Sequence, residues 1–205
     1  MARVVSGGVV RGEEIVVEGL VLRPFGAMLL GFSEVLFGVT ALALSARLSI
    51  SVPGYPVPFT LQTMVLGIIV AVLGPRSWRI VTSYIAAGLL GLPVFAYGGG
   101  VWYVASPTFG YLLGFLIASI IVGRVARPIS TKRSFLAMML LLPLIYLPGV
   151  LWLATWFSVF EGVPMASALP MAVTRGMLIF IPWDLAKAVT AAVLSRLLAR
   201  LIYRI

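Results

Sequence analysis

Long apolar segments, interrupted by clusters of basic residues or by proline and glycine, dominate this 205-residue sequence. A helix that crosses a bilayer needs about 20 mainly apolar residues. Of the residues here, 61% are hydrophobic and only 10% are charged. This pattern predicts an all-α integral membrane protein with six transmembrane helices, and it leaves no room for a second, soluble domain.

The interruptions divide the chain into a tail and six apolar segments. Residues 1–24 lack the apolar core and small-residue cleavage site of a signal peptide, and we interpret them as a cytoplasmic N-terminal tail. Residues 25–205 are interpreted as one six-helix transmembrane domain. We expect its spans at residues 25–47, 60–73, 78–92, 107–124, 134–157 and 176–195.

Basic residues lie mostly on one side of these predicted spans. Twelve of the 15 Lys and Arg residues fall in the tail, in the second-to-third and fourth-to-fifth connections, and at the C-terminus. They are Arg3, Arg11, Arg23, Arg76, Arg79, Arg124, Arg127, Lys132, Arg133, Arg196, Arg200 and Arg204. Short cytoplasmic loops are enriched in Lys and Arg, so both termini are predicted to be cytoplasmic.

Three connections then face outward, and two of them are apolar and kinked. The first is SISVPGYPVPF, the second is residues 91–109, and the third is the stretch around Glu161 to Pro170. The second has no charge, and its three adjacent glycines and two prolines exclude one regular helix. Non-helical backbone at membrane depth is tolerated where protein or a cavity satisfies it. We therefore expect these loops to cover a site near the outer surface.

Two charged residues lie inside the last apolar segment, in the run FIPWDLAK. Asp184 and Lys187 are three residues apart and hence on one helix face. A charge at the centre of a span costs about 2.5 to 3.5 kcal/mol on insertion scales. The two either neutralise each other as a structural pair or face a cavity and bind a ligand with donor and acceptor groups. Pro182 favours a helix that restarts there, with Asp184 in the first turn, where the helix dipole favours a carboxylate.

Two further charged residues allow alternative interpretations. Arg47, at the outer end of the first span, either extends to the lipid headgroups or meets a ligand carboxylate. Glu34 follows Ser33 and is either a first-turn acid of a capped helix or part of a coupling-ion site.

Aromatic residues concentrate in and just after the charge-free outer loop. They either belong to the aromatic belts of a membrane protein or wall an apolar, ring-shaped ligand. The candidates are Phe95, Tyr97, Trp102, Tyr103 and Tyr111.

Several function classes are disfavoured by what the sequence lacks. Without Cys or His, the usual zinc sites and Cys/His nucleophile pairs are missing, so we predict no enzymatic activity, no cofactor and no metal. An intramembrane enzyme would have to use Asp184, Glu34 or a serine and lysine pair such as Ser195 and Lys187. The basic residues punctuate apolar segments and form no soluble basic face, so no nucleic-acid partner is expected. No GxxxxGK[ST] motif occurs, so any coupling to ATP must come from partner proteins.

Four segments in order, PVPFTLQT, YIAAGLLGLPVFAYGGG, SPTFGYLLGF and FIPWDLAK, resemble the BioY family. BioY proteins are the biotin-binding S components of energy-coupling factor (ECF) transporters. The resemblance extends from about Val52 to Ala191. Two positions depart from the family pattern: Tyr97 stands where many members have asparagine, and Trp183 stands where glycine is usual.

The resemblance implies an S-component fold, a location in the plasma membrane, and partners consisting of the bilayer, a transmembrane T component and ATPase subunits. It also implies biotin as the ligand, bound near the outer face, with Asp184 on the ureido ring and Lys187 on the valerate carboxylate. The expected ligand-binding residues are Asp184, Lys187, Tyr111, Phe95, Tyr97, Trp102, Gln62 and Arg47. The alternative is an S component for another vitamin, thiamine or riboflavin, since the fold is shared and the pocket decides.

Overall fold

The structure is a computed structural model that describes residues 3–5, 8–11, 14–17, 20–22, 24–126 and 130–203. The chain divides into two compact units, Met1–Gly38 and Val39–Ile205. The first contains a small sheet and the start of the first helix, and the second contains the rest of that helix and the other helices that the structure describes.

Four short strands precede the first helix: β1 (Arg3–Val5), β2 (Gly8–Arg11), β3 (Glu14–Val17) and β4 (Leu20–Leu22). They form an antiparallel sheet in chain order, in which Val4 pairs with Val9 and Val10 pairs with Ile15. Valine and isoleucine are enriched in strands because their branched side chains suit a pleated surface. The prediction of an all-α chain is therefore wrong in this segment, although the described residues are mostly helical.

Seven helices follow in the described part of the chain. They are α1 (Pro24–Arg47), α2 (Gln62–Leu73), α3 (Ser77–Leu89), α4 (Phe109–Val125), α5 (Thr131–Phe160), α6 (Met165–Val173) and α7 (Ile181–Tyr203). The first five begin and end within three residues of the predicted spans. The hydrophobic pattern thus located the first five helices, including α5 with Pro143 and Pro148 inside it.

Not every one of these helices is long enough to cross a bilayer alone. Four described segments are long and apolar enough to span a bilayer: Met28–Arg47, Gln62–Leu89, Thr131–Phe160 and Met165–Ile202. A fifth, Phe109–Val125, is apolar but shorter. The second and third predicted spans lie in one helical run that is divided by a 3₁₀ turn at Gly74–Arg76, where Gly74 has a positive φ of 58°. By length and composition, the described residues provide four to five candidates.

The C-terminal third of the chain differs from the prediction. Residues 161–170 were expected to form an outer loop, but α6 begins at Met165 and continues through a π-helical turn at Thr174–Leu178 toward α7. Pro164 is the N-cap residue before α6, and the run MASALPMAV supplies Met, Ala and Leu, which are good helix formers. Their helix propensity outweighs the cost of Pro170, which lacks a backbone N–H donor.

Helix α5 is central to the packing of the second unit, because it contacts α4, α6 and α7, while α2 packs against α7. Glycines allow the close approach of α4 to α5. A Cβ on Gly114 would lie 2.7 Å from the Ile145 Cα, and one on Gly110 would lie 2.6 Å from the Pro148 carbonyl oxygen. Small residues at a helix crossing let backbones come together where lipid offers no hydrophobic driving force.

Two connections shape one end of this bundle. After α1, β5 (Ser49–Ile50) and β6 (Phe59–Thr60) pair as an antiparallel hairpin that the sequence did not reveal. After α3, residues 91–108 form irregular backbone with a 3₁₀ helix at Val101–Ala105. The expectation that the latter would not be a regular helix is confirmed. Gly98 and Gly100 have φ values of 110° and 107°, which side chains rarely tolerate.

Candidate functional site

A narrow cavity of about 60 Å³ lies between α2, α4, α5 and α7, with β6 and the loop after α3 at its margin. Its apolar lining includes Phe95, Leu112, Phe115, Ile145 and Phe180. Polar side chains from several elements also line it: Thr60, Gln62, Thr63, Tyr103, Thr108, Tyr111, Tyr146, Asp184 and Lys187. An apolar pocket with a few convergent polar groups is the usual form of a small-molecule site.

Asp184 is the most highly connected of these polar residues, and the residue as a whole is 2% exposed. Its Oδ2 accepts a hydrogen bond from the Tyr146 hydroxyl at 2.5 Å. Its Oδ1 accepts from the Thr63 hydroxyl at 2.9 Å and from the Lys187 ammonium at 2.9 Å. Three helices, α2, α5 and α7, thus supply donors to one carboxylate. Such bonds compensate the carboxylate for the loss of water.

Lys187 completes this network from the next turn of α7. Its ammonium forms an ion pair with Asp184 and donates to the Thr63 hydroxyl at 3.4 Å. The side chains of Lys187 and Asp184 are 14% and 3% exposed, so the pair is largely removed from solvent. Helix α7 begins at Ile181, followed by Pro182, and Asp184 lies in its first turn as predicted. The positive end of the helix dipole stabilises the carboxylate there.

Gln62 lies at the start of α2 and is 7% exposed. Its amide nitrogen donates to the Tyr84 hydroxyl at 2.9 Å, and that hydroxyl donates to the Val94 carbonyl at 3.0 Å. This chain of bonds connects α2 and α3 to the loop beside the cavity. Gln62 therefore lines the cavity and also fixes the position of the loop.

Phe95 and Tyr103 form an aromatic wall of the cavity. Phe95 is fully buried, and its ring centroid lies 4.4 Å from that of Tyr103 and 5.3 Å from that of Tyr84. Gly88 makes room for this ring, since a Cβ at that position would overlap it. The Tyr103 hydroxyl shares a 2.8 Å hydrogen bond with Thr108, and burial raises the pKa of Tyr103 above its ordinary value. Tyr103 therefore stays a neutral hydroxyl at physiological pH.

Tyr111 reaches from α4 to the π-helical turn. Its hydroxyl donates to the Gly176 carbonyl at 2.8 Å, and a Cβ on Gly176 would overlap that hydroxyl. A π-helical turn leaves backbone groups out of the regular i to i−4 pattern, and such turns occur often at functional sites. Tyr111 donates to a carbonyl of this turn while its ring lines the cavity.

The other three residues predicted to bind ligand lie outside the lining of this cavity. Tyr97 is half exposed and its hydroxyl donates to the Pro56 carbonyl at 3.1 Å, which joins the connection after α1 to the connection after α3. Trp102 is 86% exposed. Arg47 donates to the Pro93 carbonyl at 2.5 Å and lines a neighbouring groove.

Thr63 and Tyr146 were missed by the sequence reasoning. Both contact Asp184, yet each lies in an apolar helix where a hydroxyl is common and carries no distinctive pattern. Thr63 is the last residue of PVPFTLQT, one of the segments that resemble the BioY family. This resemblance was the one sequence signal near Thr63. Tyr146 lies between Pro143 and Pro148, and nothing near it in the sequence marks it as a partner of Asp184.

Chemically, the site offers a charged acceptor and a charged donor 2.9 Å apart beside aromatic rings. It therefore suits a small molecule that combines hydrogen-bond donors, an anionic group and an apolar ring. The described lining contains no cysteine or histidine, because the sequence has none.

The chain matches the model of the BioY family over residues 23–204. A probable biotin transporter BioY of Pyrococcus horikoshii is 36% identical over 159 residues, which cover 77% of this chain and 88% of that protein. A biotin transporter BioY of Thermotoga maritima is 35% identical over 155 residues, covering 74% and 86%. A probable biotin transporter BioY of Lysinibacillus sphaericus is 38% identical over 128 residues, covering 54% of this chain and 64% of that protein.

A solved structure supports the same fold. The S-component for biotin from an ECF-type ABC transporter superposes with a TM-score of 0.71 at 22% identity, covering 87% of this chain and 95% of that one. The likeness shows an S-component fold. Together with the family match across nearly all of the helical region, it establishes that this multi-pass membrane protein belongs to the BioY family.

Proposed function

We propose that this protein is the biotin-binding S component of an ECF-type vitamin transporter. It captures biotin at the outer face of the plasma membrane and delivers it inward with a separate T component and ATPase subunits. The observation that carries the proposal is the buried pair of Asp184 and Lys187, held by Thr63 and Tyr146 inside a cavity of a BioY family member. The relatives that bear the name biotin transporter support the choice of ligand.

In this proposal, Asp184 accepts hydrogen bonds from the ureido N–H groups of biotin. A carboxylate has about four lone-pair sites, and three donors occupy Asp184 in the structure. One site remains, and a second becomes available when Lys187 turns from Asp184 to the anionic end of the ligand. Tyr146 and Thr63 keep the carboxylate oriented during this exchange.

Specificity for biotin then follows from the cost of leaving buried polar groups of the site without partners on the ligand. A ligand without ring N–H donors leaves part of Asp184 without a partner. A ligand without an anion gives Lys187 no new acceptor when the ligand's N–H groups take its place on Asp184. An unsatisfied buried polar group costs about 1 to 3 kcal/mol, and more when it is charged. Phe95 and Tyr103 provide the apolar surface against which the bicyclic ring of biotin packs.

We further propose six crossings with both termini in the cytoplasm and residues 1–24 as a cytoplasmic tail. The one-sided distribution of Lys and Arg supports this arrangement. The break at Gly74 supports counting α2 and α3 as separate crossings, because a residue with positive φ interrupts the helix there. The cavity then lies toward the outer face, beside the connections after α1 and α3.

The protein itself catalyses no reaction in this proposal and needs no cofactor. Capture requires only that the ligand replaces contacts already present in the cavity. The energy for transport comes from the ATPase subunits, since the sequence contains no phosphate-binding loop of the GxxxxGK[ST] type.

Equilibrium binding to the detergent-purified chain tests the ligand. We expect biotin to bind at least about 100-fold more tightly than thiamine or riboflavin, since neither matches both charged groups of the site. Lys187→Met should weaken biotin binding about 30-fold or more, because a buried Asp184 is left without its cation. Lys132→Met, which removes an exposed lysine of α5, serves as the matched control. A folded wild-type chain that binds thiamine or riboflavin more tightly than biotin would overturn the proposal.

A further inference from the structure

An apolar groove lies between α5 and the helical run from α6 to α7, and we call it the α5–α6 groove. It is lined by residues within 142–151 on one side and within 169–181 on the other. Its volume is about 550 Å³. Sites for small molecules typically measure about 300 to 1,000 Å³. Pro143 and Met177 of the π-helical turn are in the lining, so both helical walls are irregular beside the groove.

The side chains of this groove offer a ligand almost no polar partner. None of the ten lining residues that the structure describes is charged. The one O–H or N–H donor among their side chains is the Tyr146 hydroxyl, which already donates to Asp184. A polar group placed in the groove would lose its water without gaining a partner, which is costly. The groove therefore suits hydrocarbon.

A second transmembrane helix fits the α5–α6 groove poorly. Helix interfaces in lipid are enriched in Gly, Ala, Ser and Thr, which let two backbones approach, as Gly110 and Gly114 do between α4 and α5. The described lining of the groove contains none of these four residue types. Its exposed rim carries Leu147, Leu151 and Leu169 instead. A flexible hydrocarbon chain can pass between such side chains, whereas a helix cannot approach the floor beneath them.

The length of the groove matches one leaflet of a bilayer. From Leu142 to Leu151 it extends about 14 Å along α5, at a rise of about 1.5 Å per residue. The hydrocarbon core of a bilayer is about 30 Å thick, so one leaflet contributes about 15 Å. The groove also lies within Thr131–Phe160, a segment long and apolar enough to cross the membrane.

We propose that the α5–α6 groove binds one acyl chain of a bilayer phospholipid, and that this chain supports Tyr146 against Asp184. Tyr146 lines both the groove and the cavity. An empty space beside its ring forfeits the van der Waals contacts on that side. A chain in the groove restores them and favours the rotamer in which the hydroxyl donates to Asp184. The lipid site is independent of the proposed function, and its effect on ligand affinity rests on that function.

Photolabelling tests the site without any ligand. The full-length chain is purified in a bile-salt-type detergent, which has no alkyl chain, and mixed with an equimolar phosphatidylcholine that carries a diazirine in the middle of one chain. We expect Leu147 and Leu151 to be labelled at least about fivefold more than Leu136 and Leu140, as located by mass spectrometry. The latter two are exposed leucines of the same helix outside the groove.

A filled groove provides the matched variant. Val173→Trp places an indole in the groove and should reduce the labelling of Leu147 and Leu151 about fivefold or more. Val189→Trp makes the same change at an exposed valine of α7 outside the groove and should leave the labelling unchanged. Uniform labelling of the four leucines in the wild type would overturn the lipid site.

The link to the cavity is tested by titrating biotin in the same detergent, with and without unlabelled phosphatidylcholine. Added lipid should strengthen biotin binding about threefold or more in the wild type and in Val189→Trp. It should have less than about half that effect in Val173→Trp, where the groove is filled, and in Tyr146→Phe, which lacks the hydroxyl.

The possible results separate the site from its link and from the proposed function. Selective labelling with no effect of lipid on biotin affinity would overturn the role of Tyr146 and support the lipid site alone. If labelling is uniform and Val173→Trp instead dissociates a dimer, the groove binds a second copy of the chain and the proposal is wrong. A wild-type chain that is labelled selectively but binds no biotin would overturn the proposed function and leave the lipid site in place.

Discussion

Two walls of the same cavity are built in different ways. The wall around Asp184 consists of hydrogen-bonding side chains on α2, α5 and α7, so its positions are fixed by packed helices. A second wall consists of Phe95 and Tyr103 on the loop after α3, where ring contacts and positive-φ glycines set the shape. The first wall can distinguish charged and hydrogen-bonding groups on a ligand, whereas the second, apart from the Tyr103 hydroxyl, distinguishes ligands by size and outline.

This difference separates the expected effects of substitution. A change in the polar wall should alter the affinity for ligands according to the groups they carry. A change in the loop should weaken similar ligands alike, and only where the side chain is buried against the cavity. Phe95 is fully buried and Trp102, seven residues away, is 86% exposed, so the loop itself contains both cases.

The largest effect should come from Asp184→Asn. The substitution leaves the Lys187 ammonium without its counter-ion and replaces a charged acceptor with a neutral one, and breaking such a buried pair costs about 3 to 5 kcal/mol. We expect biotin affinity to fall at least about 100-fold in a titration of the purified protein. Glu161→Gln, at an exposed acid after α5, is the control. If the Asp184→Asn variant binds biotin with unchanged affinity, Asp184 and its hydrogen-bond partners do not take part in biotin binding.

A smaller effect is expected for Tyr146→Phe. The ring and its packing are kept, but Asp184 loses one of its three donors, and a hydrogen bond to a charged group is worth about 1.5 to 3 kcal/mol. Biotin affinity should fall about tenfold, as measured by the same titration. Tyr97→Phe removes a hydroxyl that bonds the Pro56 carbonyl outside the cavity and should have less effect. Equal losses in the two variants would contradict the assigned role of Tyr146.

The smallest effect is expected for Trp102→Ala. Its side chain lies outside the cavity lining, so biotin affinity should change less than about twofold, since exposed substitutions rarely exceed 0.5 kcal/mol. Competition between labelled and unlabelled biotin would resolve this difference. A loss of biotin affinity comparable to that in Tyr146→Phe would show that the loop closes over the ligand. It would also contradict the different roles assigned to the two walls.

Much of this architecture follows from the sequence because the bilayer imposes simple rules. Apolar segments of sufficient length, ended by basic residues or by proline and glycine, located the first five helices to within three residues. The pair of Asp184 and Lys187 was recognisable because charge inside an apolar segment is costly and needs a partner. Pro182 indicated the helix restart that places Asp184 in the first turn of α7, although the sixth span was predicted at 176–195 and α7 covers Ile181–Tyr203.

The features that the sequence did not reveal depend on contacts between distant segments. Tyr146 lies 38 residues from Asp184, and its hydroxyl becomes significant only because α5 packs on α7. The β5–β6 hairpin contains two residues in each strand, too few for a periodic pattern. Helix α6 was obscured by Pro164 and Pro170, which are breakers in isolation but are accommodated here at the start and inside a helix that is covered by α5.

The π-helical turn at Thr174–Leu178 sets the rotational phase of everything that follows it. A π turn contains one residue more than the α-helical turn it replaces, and each residue advances an α-helix by about 100°. If the turn reverted to α-helical geometry by loss of one residue, α7 would emerge rotated by roughly that angle. Asp184 and Lys187 would then point away from Tyr146 and Thr63, although no residue of the cavity had changed. The alignment of the two charges with the cavity is thus established about two to three helical turns before the charges themselves, at the Gly176 carbonyl to which Tyr111 donates.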